Sequence, residues 1–88
     1  EERKAATVLY KALTAAREQF EQGEKDAVKL RQAMTTLIQQ EPLARIDYVS
    51  IANPDTLAEL RKIKGPALAS LAVKIGKTRL IDNVTLGN

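Results

Sequence analysis

Gly76-Lys77-Thr78 carries the closing letters of the phosphate-cradling P-loop, in which backbone N–H groups wrap a triphosphate and a helix begins at the following residue. That loop needs a second glycine five residues earlier, and position 71 is Leu71. The residues after Thr78 read as a strand, so a hairpin turn is the better account, with Gly76 supplying backbone freedom. Glu18, Glu21 and Glu24 are a second grouping, of the kind that holds a metal or moves protons. Arg17 and Lys25 interleave with them, as on a solvated helix face. Histidine and cysteine are absent. This removes the usual general base near neutral pH, imidazole and thiolate metal ligands, Ser-His and Cys-His nucleophile pairs, and any disulfide.

Basic residues are the remaining chemical resource. The 88 residues carry a net charge of +3, and residues 1–44 balance to zero, so the excess lies wholly in the second half. No acidic residue occurs between Glu59 and Asp82, a stretch that includes Lys62, Lys64, Lys74, Lys77 and Arg79. A field of that sign attracts phosphates or nucleic acid, and an ordinary solvated rim has the same composition. Lys74, Lys77 and Arg79 of this stretch flank the expected turn at Gly76. Lysines at an exposed edge also guard against edge-to-edge pairing. Asp82 and Asn83 fit a side-chain to backbone cap at a strand end.

The elements that would position these residues follow from periodicity. From about Glu2 to Gln22, Ala6, Leu9, Leu13, Ala16 and Phe20 recur at three- and four-residue spacing, which predicts an amphipathic helix. Gly23 ends it. Asp26 can cap a second helix running to about Gln40, with the stripe Ala27, Leu30, Met34, Leu37 and Ile38, so the two form an antiparallel hairpin. Their polar faces mix both signs, which suits packing on a protein core better than lying on a membrane. Residues 45–52 (Arg-Ile-Asp-Tyr-Val-Ser-Ile-Ala) read as a strand. Asn53 as N-cap, Pro54 at the first helical position and the Thr56/Glu59 spacing predict a short helix over residues 55–61. Residues 67–75, almost unbroken apolar sequence, predict a buried central strand, with helix as the competing reading because of the alanines. Residues 78–82 return after Gly76-Lys77 as the second arm of a hairpin. The expected fold is α+β with two layers: a helix hairpin and a short helix packed on a three-stranded, mostly antiparallel sheet.

With 44% hydrophobic and 28% charged residues, the composition is that of a globular protein, and this length makes one domain, residues 1–88. No run approaches the ~20 apolar residues of a membrane span. A missing initiator Met and a helical pattern from the outset suggest a piece of a longer protein.

The segment Leu71-Ala-Val-Lys-Ile-Gly-Lys-Thr-Arg-Leu-Ile-Asp-Asn83, preceded by Arg45-Ile-Asp-Tyr-Val49 and Asn53-Pro-Asp-Thr-Leu57, resembles the C-terminal region of the pantoate–β-alanine ligases, the pantothenate synthetases. Residues 78–83 are its most specific piece, and the order of elements agrees along nearly the whole chain. The resemblance implies a C-terminal lid domain of a two-domain, cytoplasmic, homodimeric enzyme. That enzyme adenylates pantoate with ATP and Mg²⁺, releases pyrophosphate, and lets β-alanine attack the pantoyl adenylate. The family's His-x-x-His motif and Ser-Ser-Arg-Asn-like loop are not in this chain; Glu1-Glu2-Arg3 is similar to the stretch just after that loop. No catalytic, cofactor-binding or metal-ligating residue is therefore carried over; the lid reading that the resemblance implies makes Lys74, Lys77 and Arg79 on the hairpin the candidates for facing the substrate cleft, where they would add to the field on ATP phosphates. The fragment alone is expected to be inactive and to bind neither ATP nor Mg²⁺, its partner being the N-terminal catalytic domain of the same chain. Some family members are fused here to a cytidylate kinase, and the chain's last residues leave that open. The competing class is a small basic α+β module that binds nucleic acid or another partner without catalysis. Nucleic-acid-binding sheets display aromatics for base stacking, and Tyr48 is a single ring with none on the last two strands.

Overall fold

A computed structural model describes the backbone of residues 2–87 and the side chains of residue 3 and residues 6–87. Glu1 and Asn88, the two ends of the chain, lie outside the described residues. Helix α1 (Glu2–Glu21) and helix α2 (Ala27–Gln39) precede strands β1 (Ala44–Ala52), β2 (Ala67–Ile75) and β3 (Thr78–Leu86). The strands form one antiparallel sheet in the order β1-β2-β3. Both helices lie on one face of it, giving the expected two-layer α+β fold.

The apolar stripes become the core. Leu9, Leu13, Ala16 and Phe20 of α1 and Ala27, Leu30, Met34 and Ile38 of α2 are buried in one cluster with Ile51 of β1 and Ala67, Ala69, Leu71, Val73 and Ile75 of β2. Those five β2 residues alternate along the strand, as a pleat requires. Ala6, the first member of the α1 stripe, is exposed, and Ala12 takes a buried place instead.

Asp26 caps α2 as anticipated, its Oδ1 accepting from the backbone N–H of Val28 at 2.9 Å and of Lys29 at 3.4 Å. Glu24 braces the cap by accepting from the Asp26 N–H. Asp26→Ala is expected to cost about 1 kcal/mol by the usual worth of an N-cap. Chemical denaturation measures this, and an unchanged midpoint would remove the cap from the account.

Helix α1 runs in the same direction as β3. Tyr10, Leu13 and Arg17 lie by Asp82, Asn83 and Val84, and a Cβ on Gly87 would stand 3.1 Å from the Phe20 ring. The start of α1 therefore lies at the β2–β3 hairpin end of the domain. The α2–β1 connection is at that end too, since Ala44 pairs with Ile75.

The short helix over residues 55–61 does not form. Its predicted cap does: Asn53 Oδ1 accepts from the N–H of Asp55 at 2.8 Å and of Thr56 at 3.1 Å. The chain then turns back, with Leu57 in the left-handed region (φ 62°) and the Asn53 N–H donating to the Ala58 carbonyl at 2.9 Å. The residues that would have continued the helix are taken by other partners. The Leu60 N–H donates to the Ile51 carbonyl, the Arg61 carbonyl accepts from the Ala27 N–H, and the Ile63 N–H donates to the Lys25 carbonyl. The carboxylate of Glu59 accepts from Arg31 at 2.9 Å, from the Ser50 hydroxyl and from the Ile51 N–H. Tertiary pairing along the edge of β1, together with burial of Ile63, overrides a weak local preference. Strand β3 also runs past the expected end at Asp82, because Asn83, Val84, Thr85 and Leu86 continue the ladder with Ser70, Ala69, Leu68 and Ala67.

Candidate functional site

Gly76 and Lys77 are the two central residues of the hairpin, between the paired Ile75 and Thr78. Gly76 has φ +60° while Lys77 keeps a negative φ, the combination of a type II′ turn with glycine first. A strand follows Thr78, so no helix N-terminus is present to complete a phosphate loop. Glu18 and Glu21 are exposed on α1, and Glu24 is engaged with the Asp26 backbone. No group of three or more potential carboxylate ligands occurs among the described residues. Asp82 and Asn83 sit inside β3 rather than at its end, with the Asn83 N–H donating to Asp82 Oδ1 at 2.8 Å.

The three basic candidates do come together. Lys74 and Arg79 face each other across β2 and β3, and Lys77 is exposed at the turn beside them. All three lie at the hairpin end. The register adds a residue that the sequence did not single out, for Lys74 is also directly opposite Arg45 of β1. Arg45, Lys74 and Arg79 thus form one row across three strands on the face that carries no helix.

Asp47 is the counterpart. A β-bulge between Ile46 and Tyr48 leaves Asp47 without a direct partner in the ladder. Its Oδ2 accepts from Arg79 Nε at 2.6 Å, although β2 lies between their strands. The bond therefore passes over β2 on the open face. Ala72, on that face between Tyr48 and Ile81, is fully buried despite having no helix above it. An alternation reading of Arg45-Ile-Asp47 places both charges on one side of β1. Without the register, nothing connects them to Lys74 and Arg79.

Two concavities border these elements. One of about 370 Å³ lies between α2 and β1, and its charged lining residue, Arg31, is already held by Glu59 and by the Leu60 carbonyl at 2.9 Å. The other, of about 390 Å³, is bounded by Pro42, Leu43, Arg45, Lys74 and Gly76 at the hairpin end, and brings to its wall Arg45 and Lys74, which have no ion-pair partner among the described residues.

A small α+β domain with a helix-free, basic sheet end is the class that fold and site define. The family model for pantoate-beta-alanine ligase matches residues 1–85, and the chain belongs to that family. It is 58% identical to the pantothenate synthetase of Roseiflexus sp. (strain RS-1) over 98% of its own length and 31% of the relative's. It is 56% identical to that of Pelotomaculum thermopropionicum over 99% of its length and 31% of the relative's. The crystal structure of pantothenate synthetase from Thermus thermophilus superimposes with a TM-score of 0.85 at 36% identity, over 94% of this chain and 30% of that one. The chain thus spans about a third of the length of the relatives it matches. Among the described residues no helix is long and apolar enough to cross a membrane.

Proposed function

We propose that this chain is the C-terminal lid domain of a pantothenate synthetase. In that role it closes over chemistry performed by an N-terminal catalytic domain. The single observation that carries the reading is the family match over residues 1–85 in relatives roughly three times as long. The substrates are then pantoate, β-alanine and ATP with Mg²⁺, held by the N-terminal domain of a cytoplasmic homodimer.

The contribution of these residues is physical cover. An acyl adenylate hydrolyses in water, and a domain closing over it excludes water and strengthens the electrostatics of the site beneath. Adenylation also demands preorganised positive charge around the transferring phosphoryl group. Lys74, Lys77 and Arg79 supply part of that charge from the lid side, and their clustering at the end where α1 begins supports this placement. The reading as a free-standing nucleic-acid module finds no support among the relatives. The open face, with the single aromatic ring of Tyr48, gives it little to stack bases on.

The test supplies the 88-residue chain alone, and separately joined to the N-terminal remainder of the Roseiflexus enzyme, with pantoate, β-alanine and ATP. Pantothenate is expected only from the joined protein. Turnover by the isolated chain, or a folded but inactive chimera, would overturn the assignment.

A further inference from the structure

We infer that the helix-free face of the sheet carries a polyphosphate-binding site, formed by Arg45, Lys74 and Arg79, in which Asp47 acts as a displaceable internal counter-ion. This extends the lid reading by naming the face and the ligand class, and it departs from the sequence expectation that the chain alone binds no ATP, because strand register adds Arg45 to the cations; it rests on the lid reading only for where the phosphate comes from in the whole enzyme.

Placing Arg45, Lys74 and Arg79 in one register row sets like charges directly opposite one another on adjacent strands, an arrangement that destabilises a sheet. With strands about 4.8 Å apart, the row spans roughly 10 Å. The helices lie on the other face, and among the described residues no element covers the row. Among the described residues, Arg79 has an ion-pair partner, while Arg45 and Lys74 have none. The row also opens onto the concavity bounded by Pro42, Leu43, Arg45, Lys74 and Gly76. A spaced line of one ammonium and two guanidinium groups suits successive phosphates of a pyrophosphate or triphosphate, since guanidinium forks pair with phosphate oxygens.

The bulge at Asp47 explains how the row is tolerated without ligand. Asp47 reaches Arg79 across the open face of β2. The pair is half exposed, with relative accessibilities of 47% for Arg79 and 41% for Asp47. Such a pair is weakly held in water. A phosphate group offers more charge and more acceptor oxygens than one carboxylate, so it displaces Asp47 and meets all three cations.

The experiment titrates inorganic pyrophosphate, and in a parallel arm ATP, into the 88-residue chain at low salt, followed by amide NMR shifts. Shifts are expected at residues 45–48, 72–74 and 77–81. Equal response to both probes assigns the site to the phosphates alone, and tighter binding of ATP assigns it to the nucleotide. Arg45→Gln with Lys74→Gln should weaken binding about tenfold or more. Asp47→Asn should strengthen it about threefold, because the competitor is gone. Lys29→Gln on α2 should leave it unchanged. The altered side chains are at the surface, and a thermal melt of each variant checks that the fold is retained. The inference is overturned if shifts are absent, if the double variant binds as the parent does, or if Asp47→Asn weakens binding. None of these readouts involves turnover, so failure here is distinct from failure of the lid assignment.

Discussion

Replacing Leu71 by alanine is expected to cost the domain about 2–5 kcal/mol, the range for truncating a buried leucine. Leu71 lies at the middle of the middle strand, fully buried, in register with Val49 on one side and Asp82 on the other. Sheet neighbours and the buried apolar cluster enclose it, so little can collapse into the space left behind. Small domains hold roughly 5–15 kcal/mol in total. At about 4–8 °C per kcal/mol for a domain of this size, the melting temperature should fall by about 10 °C or more. Ile81→Ala, on the same sheet but 56% exposed, is the control and should change the melt little. Equal losses at the two positions would mean that the core is not where the fold places it.

Ala16→Leu is the second large effect, and it acts by adding volume rather than removing it. Ala12 and Ala16 of α1 and Ala27 of α2 have no accessible surface, which is how the helix hairpin packs closely on itself and on the sheet. The added carbons at Ala16 have nowhere to go without separating elements, and overpacking of this kind costs about 1–3 kcal/mol. Ala6→Leu makes the same change on the same helix at an exposed position and should be nearly neutral. Denaturant midpoints of the two variants compare them directly. A neutral Ala16→Leu would show that the helices stand further apart than the packing indicates.

The parts of this fold that were legible in the sequence are those where local and tertiary demands agree. Leu30, Met34 and Ile38 repeat with helical spacing and meet the sheet on that face, and Gly76 stands where a two-residue hairpin needs positive φ. Legibility fails where a distant partner decides. Asn53 caps as its type suggests, yet the following residues abandon the helix because Glu59, Leu60 and Arg61 find hydrogen-bond partners on β1 and α2. The candidate site divides in the same way. Lys74, Lys77 and Arg79 were visible as charges near a turn, whereas Arg45 joins them through strand register. Asp47 joins through a bulge that one extra residue creates without a signature of its own.

In the proposed lid, the shared direction of α1 and β3 would make the domain a lever with its load close to a pivot at the start of α1. Helix α1 spans 20 residues, or about 30 Å at 1.5 Å per residue, from the hairpin end to the end where Phe20 meets Gly87. If the domain swings about the start of α1, a turn of about 10° carries the far end through roughly 5 Å over that length. Arg45, Lys74 and Arg79, near the fulcrum, move only a fraction as far. Under that proposal, opening would be wide at the rim while Arg45, Lys74 and Arg79 kept nearly the same alignment with a phosphate bound beneath them.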